Sequence, residues 1–251
     1  MIKIRVIPTI LYNDYSIVKG KNFDSWRVVG NLIQSIKIYS LREVDELIIL
    51  DISASKEKKG IDIDMVKQFT KYCFMPLTLG GGISSTKDIT NLLSAGADKV
   101  SINSAALTNP GLISESVKKF GSQCITISLD YKKKNKNYEL YTHSATKPSG
   151  IDLFDYLKEL KKLKPGEIIL TSIEREGSMN GYDLDTLSKA IKTIDFPIIA
   201  SGGCGNYEHM IDVLRISSNF SLAAASIFHF TEQTPLQAKI YLKKNGFRVR
   251  K

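Results

Sequence analysis

The sequence predicts a closed (β/α)₈ barrel, and three observations predict it. Eight apolar, strand-length runs recur along the 251 residues, amphipathic stretches alternate with them, and the second half of the chain repeats the pattern of the first. The runs are IRVIPTI (4–10), ELIILDI (46–52), PLTLG (76–80), DKVSI (98–102), CITISLD (124–130), EIILTS (167–172), PIIAS (197–201) and SLAAAS (221–226). Helical spacing of apolar residues marks NLIQSIKIYSLR (31–42), STKDITNLLSAG (85–96), GLISESVKKF (111–120), DLFDYLKELKKL (152–163) and YEHMIDVLRI (207–216). A doubly wound open sheet would have fewer strands and a glycine fingerprint after the first one. Neither feature is present.

The repeat is visible in the strand ends. DELIILDIS (45–53) resembles GEIILTSIE (166–174), and LTLGGGIS (77–84) resembles IIASGGCG (198–205). Each glycine run leads to a helix and then to KVSINSAA (99–106) or LAAASIF (222–228). On the same alignment VIPTILYND (6–14) meets ITISLDYKK (125–133), so Leu11 is the counterpart of Asp130. No linker interrupts the chain, which reads as one domain of two half-barrels, about 1–121 and 122–251.

Composition narrows the classes. The chain is 43% hydrophobic and 24% charged, ordinary for a globular protein, and no apolar run is long enough for a membrane helix. The N-terminus, MIKIRVIPTI, lacks the features of a secretory signal. Cys73, Cys124 and Cys204 lie far apart with no CxxC, so a cytoplasmic protein with packed thiols is expected. His143, His209 and His229 have no metal-ligand spacing; no metal and no cofactor is expected. The net charge of +9 admits nucleic acid or a phosphate-bearing small molecule as partner. The densest basic run, DYKKKNKNYELYTH (130–143), has the alternation of a hairpin with a solvated tip, and no nucleic-acid-binding motif is present. The small molecule is the better partner.

In such a barrel, chemistry sits at the C-terminal strand ends. These hold Asp51, Gly81, Gly82, Asn103, Ser104, Asp130, Thr171, Ser201, Gly202, Gly203 and Ser226. Two glycine-rich ends, each near a Ser- or Asn-bearing end, predict two phosphate sites facing one another, because glycine lets backbone N–H groups approach phosphate oxygens. Tight βα turns are the plainer reading of each glycine pair alone; their duplication favours phosphate. Asp130, Asp51 and Glu176 are acid/base candidates. Asp14 and Lys19 fall on YNDYSIVKGKNFDSW (12–26), which reads as a long polar loop able to act as a mobile lid. At the opposite end, Arg5, Glu46, Lys99 and Glu167 stand at strand entries. Singly each reads as a surface residue; together their alternating signs can close a ring across the barrel's base.

The stretches RVIP (5–8), VKGKNF (18–23), DELIILDISAS (45–55), GGGI (80–83), GADKVSIN (96–103), FGSQ (120–123), ILTSIEREGSMNGYD (169–183), PIIASGG (197–203) and FHF (228–230) give the chain, over essentially its whole length, a resemblance. It resembles the HisF family, the cyclase subunits of imidazole glycerol phosphate synthase. The resemblance implies a glutaminase subunit docked at the base, ammonia passing through the barrel, and a substrate with two phosphates at the mouth. On that basis Arg5, Glu46, Lys99 and Glu167 match the family's gate, and Asp98 its docking aspartate. Gly82, Asn103, Gly177, Gly203 and Ser226 match its phosphate residues, Ser104 stands for a usual threonine, and Lys19 matches the lid lysine.

The resemblance breaks at one position. The family's cyclases use an aspartate at the end of strand 1 and another at the end of strand 5; here Asp130 is kept and Leu11 stands in place of its partner. A leucine can neither carry charge nor move a proton, and such groups contribute about 10²–10⁴-fold. Glu176 also replaces a usual aspartate. Three readings follow. The first is a cyclase whose second carboxylate comes from Asp14 or Glu176. The second, which the kept gate favours, is a paralogue beside a HisH-like glutaminase and a sugar amidotransferase, serving acetamidino-sugar synthesis for surface polysaccharides. The third is a phosphate-binding relic.

Overall fold

A computed structural model describes residues 3–42, 44–57, 59–135 and 137–250. Among these the strands are β1 (Val6–Asn13), β2 (Ser16–Lys21), β3 (Asp24–Asn31), β4 (Leu47–Asp51), β5 (Leu77–Gly80), β6 (Lys99–Ile102), β7 (Ile125–Lys134), β8 (Asn137–Thr142), β9 (Lys147–Asp152), β10 (Glu167–Ser172), β11 (Ile198–Ser201) and β12 (Phe220–Ala224). The strands β1, β4, β5, β6, β7, β10, β11 and β12 pair in parallel, and β12 returns to β1 to close the barrel. All eight predicted runs are strands of the barrel. Their continuous Val/Ile/Leu character is what burial on both faces requires. Outward residues pack under the helices, while Ile7, Ile48, Ile169, Ile199 and Ala223 meet inside the barrel as a separate apolar layer.

The predicted helices form at Leu32–Leu41, Thr86–Ser94, Gly111–Phe120, Leu153–Leu163 and Tyr207–Ile216. Their starts are chemically marked. Asn31, Asp152 and Asn206 each accept a first-turn N–H, and Ser85 forms a reciprocal capping box with Asp88. The last long helix, Pro235–Lys244, starts in the same way, with Thr234 and Gln237 as the box and Pro235 in its first turn. Among the described residues no helix is long and apolar enough to cross a membrane.

The predicted polar loop 12–26 is instead a ribbon. The end of β1 pairs antiparallel with β2, and β2 with β3. Ile17 and Val18 are buried, and the turn at Asn22 and Phe23 takes positive φ, a conformation that asparagine tolerates. Register shifts between Ile17 and Val18 and between Lys19 and Lys21 break the alternation by which a strand is recognised, so the stretch reads as a loop. β1 consequently runs past Leu11 to Asn13. β7 does the same in the second half, extending into β8 and β9. Each ribbon leads directly into a helix capped by its last strand, by Asn31 after β3 and by Asp152 after β9.

Candidate functional site

The ring at the base is closed. Arg5 donates one guanidinium nitrogen to Glu46 and another to Glu167, both at 2.7 Å, and Lys99 donates to the same two carboxylates, again at 2.7 Å. The strands' own hydroxyls complete it. Arg5 Nε donates to Ser221 (2.9 Å), Thr78 donates to Glu46 (3.1 Å) and Thr126 to Glu167 (3.2 Å). Burial alone would raise the pKa of Glu167, but the charges of Arg5 and Lys99 outweigh it and hold the carboxyl below its ordinary value. Two charges of each sign, every one paired twice, make a buried layer that ionic repulsion does not open.

Beside the ring lies a second buried pair. Asp45 accepts Lys239 Nζ at 2.8 Å and the N–H of Val6 at 3.1 Å, joining the final helix to the entry of β1. Asp98 is exposed at the same end, and its carboxylate accepts the N–H of Leu77 at 2.8 Å. At this end Ser40 Oγ accepts the N–H of Phe74 (3.3 Å), and Phe74 and Leu41, the residue after Ser40, are 86% and 85% exposed.

Above the ring comes the apolar layer, and above that the barrel opens into a cavity at the C-terminal strand ends. Thr9 and Ser101 line it; their hydroxyl oxygens are buried and have no hydrogen-bond partner among the described residues. The predicted residues Asp51, Asn103, Asp130, Thr171, Glu176, Gly177, Ser201, Gly203 and Ser226 all reach this wall, and so does Leu11. Parity explains the set. Leu11 and Asp130 fall on the inward face of β1 and β7, in register with Leu50 and Thr171 on the neighbouring strands.

Asp130 and Asp51 are both buried at the site, and Asp130 is the one whose proton affinity is perturbed. Burial, and then the charge of Glu176, push its pKa up to about 7, against a hydrogen bond from Thr171. Asn103 Nδ2 donates to Asp130 Oδ2 at 3.1 Å and to the carbonyl of Ser128 at 3.0 Å, which fixes the carboxyl's orientation. A carboxyl with this pKa can give or take a proton near neutrality. Asp51 is engaged differently. One of its oxygens accepts the N–H of Ser53, the Ser53 hydroxyl and the N–H of Ala54, at 2.8 to 3.0 Å, so it shapes the loop after β4.

Several predicted residues stand elsewhere. Lys19 is buried on β2 and paired with Glu176 at 2.6 Å, behind the cavity wall rather than free on a lid. The ribbon is seated there: Asn22 N–H donates to the carbonyl of Glu176 (2.8 Å). At Gly177 (φ 71°) an added Cβ would strike the carbonyl of Gly20. Gly203 (φ 102°) faces the carbonyl of Gly181 just as closely, so both glycines are required by backbone approach whatever they bind. Gly82 is not on the cavity wall; its N–H donates to Ser55 (3.3 Å), which is, and Gly81 lines the mouth beside it. Ser104 bridges Asn103 and the N–H of His143. Asp14 is exposed beside Lys59, outside the cavity, and therefore does not replace the carboxylate missing at Leu11.

The wall also contains Phe23, Ile52, Ser128, Met179 and Cys204, which the strand-end argument passed over. Ser128 could have been found, two residues before Asp130 on the same strand face. Phe23 and Met179 arrive from loops, and no local signal marks them. Among the described residues, no group of three or more His, Cys, Asp or Glu side chains could hold a metal ion.

Ring, apolar layer and mouth together define a (β/α)₈ barrel with buried carboxyls at an open mouth and a charged closure at its base. Comparison with known proteins places it further: the chain belongs to the histidine biosynthesis protein family, which it matches over residues 5–234. It is 42% identical over 250 residues to the imidazole glycerol phosphate synthase subunit HisF of Natranaerobius thermophilus, covering 100% of both chains.

Proposed function

We propose that this chain is the ammonia-receiving barrel of a glutamine amidotransferase complex. A HisH-like glutaminase docks at the base through Asp98 and the exposed Leu41 and Phe74, and ammonia enters past Arg5, Glu46, Lys99 and Glu167. It crosses the apolar layer, which suits a neutral molecule, and passes the hydroxyls of Thr9 and Ser101, which can exchange hydrogen bonds with it. Gly82, Asn103, Ser104, Gly177, Ser201, Gly203 and Ser226, with Lys19 behind the wall, are the phosphate residues by resemblance; of these, Gly82, Ser104 and Lys19 need a shift to reach a ligand in the mouth.

The carrying observation is Leu11 on the mouth wall across from Asp130. A cyclisation that needs two acid/base groups finds only Asp130 uncommitted here, since Glu176 is held by Lys19, Asp51 is engaged by Ser53 and Ala54, and Asp14 lies outside. We therefore favour a paralogue that delivers ammonia for amidination of an acetamido sugar, with a sugar amidotransferase as the further partner, over an imidazole glycerol phosphate-forming cyclase of histidine biosynthesis. The test is turnover of the phosphoribulosyl cyclase substrate with ammonium salt, in wild type and Leu11→Asp. The expected result is no wild-type turnover, with activity appearing in Leu11→Asp. Wild-type turnover at the level of an ordinary cyclase overturns the paralogue reading and returns the second acid/base role to Glu176.

A further inference from the structure

Asn103 stands at the start of the short helix Ser104–Thr108, where an asparagine side chain ordinarily accepts a first-turn N–H. Asn31 and Asn206 do so at the starts of their own helices, and Asn103 does not. Its amide is turned inward instead, and both of its ends are used. Nδ2 donates to the carbonyl of Ser128 (3.0 Å) and to Asp130 Oδ2 (3.1 Å), while Oδ1 accepts the Ser104 hydroxyl at 3.2 Å.

The bonds continue outward from Ser104. Its Oγ accepts the backbone N–H of His143 at 3.1 Å, from the turn between β8 and β9. A backbone N–H can only donate, so the Ser104 hydroxyl hydrogen is left for Asn103 Oδ1. The Ser128 carbonyl, which can only accept, imposes the same amide orientation from the other side. The turn is itself anchored across the mouth. His143, Ser144 and Ala145 all take positive φ (53°, 53° and 62°), a conformation that persists where the surroundings hold it. Here Ser144 Oγ donates to the carbonyl of Ile52 at 2.7 Å, and Thr146 Oγ1 donates to the carbonyl of His143 at 2.7 Å.

We propose that Ser104 and the turn 143–146 position Asp130: they lock the Asn103 amide so that it donates to Oδ2, and the proton that Asp130 gives or takes is confined to Oδ1. Ser104 and the turn act through Asn103. This goes beyond the ammonia-delivery reading, because an oriented acid/base group serves whichever acceptor the mouth takes. The other groups around Asp130 belong to separate contacts. Glu176 is paired with Lys19, Asp51 is held by Ser53 and Ala54, and Tyr141, opposite Asp130 on β8, has Lys132 over its ring.

The test is a carbon-13 NMR titration of the Asp130 carboxyl in the full chain, its resonance assigned by its loss in Asp130→Asn. Ser104→Ala lets the amide turn and removes a steady donor to the carboxylate. It should raise the proton affinity of Asp130 by about 3- to 10-fold, less than the full worth of a hydrogen bond to a charged group. Ser104→Thr keeps the hydroxyl and should titrate within about 2-fold of wild type. Ser144→Ala unties the turn from Ile52 without touching Asn103, and should shift the titration the same way by about 3-fold. A melting curve establishes that each variant is folded; if Ser104→Ala is not, Ser144→Ala and Ser104→Thr decide. An unmoved titration in Ser104→Ala overturns the proposal, and so does a shift that Ser104→Thr reproduces, because bulk and not the hydroxyl would then be responsible. An unmoved titration in Ser144→Ala overturns the part given to the turn. The ammonium-fed cyclase assay reads the delivery proposal alone, so failure of either proposal is seen separately.

Discussion

Arg5→Met is the sharpest perturbation of the base, because it removes one member of a buried ring while leaving its shape. Arg5 supplies one bond to Glu46 and one to Glu167, both at 2.7 Å, in a layer where the side chains of these glutamates are only 2% and 7% exposed. Methionine fills much of the volume but leaves two buried carboxylates sharing Lys99 alone. Breaking a buried pair in this way costs about 3–5 kcal/mol, which for a chain of this size lowers Tm by roughly 6–20 °C. The pH profile must change with it. Glu167 has a depressed pKa, so its contribution is present above the unfolded-state value and is lost as pH falls through the folded one. In Arg5→Met that depression is weakened, and acid should destabilise the variant less than wild type. Urea unfolding at pH 7 and at pH 4 reads both effects, and Arg5→Met with Glu167→Gln should recover part of the loss by removing the orphaned charge. A loss below about 1 kcal/mol in the single variant would refute the claim that the ring is a buried, mutually dependent layer.

Three other outcomes are expected. Asp130→Asn should be more stable than wild type at pH 8 and equal to it near pH 4: a carboxyl lifted to about 7 opposes folding once ionised, by up to about 4 kcal/mol, a cost that vanishes below the unfolded-state value; denaturant midpoints at the two pH values measure it. Lys239→Met strands the buried carboxylate of Asp45, with only the Val6 N–H left to it, and should cost about 3–5 kcal/mol in urea unfolding. Gly177→Ala forces a side chain into positive φ against the Gly20 carbonyl, so the seated ribbon should lift, costing about 1–3 kcal/mol and appearing as faster proteolysis within residues 16–31 while the barrel stays intact.

The sequence by itself determined the barrel, since eight both-face-buried runs separated by capped amphipathic helices have few other ways to bury their surface. It also placed Asp130, Thr171 and Ser201 at the mouth and Arg5, Glu46, Lys99 and Glu167 at the base, because strand parity and strand ends can be counted along one chain. Pairing was a different matter. That each ring carboxylate is shared by both cations, that Glu176 is taken by Lys19, and that Asp14 misses the cavity depend on contacts between residues far apart in the chain. The ribbon of β2 and β3 was hidden because its register shifts break the alternation, and it reads as a loop until β1 supplies a strand to pair with. The sequence pointed to Leu11 as an absence; only the closed barrel put Leu50, Ile52 and Phe23 on the same wall, since a wall drawn from two neighbouring strands and a ribbon turn exists only after they are folded together.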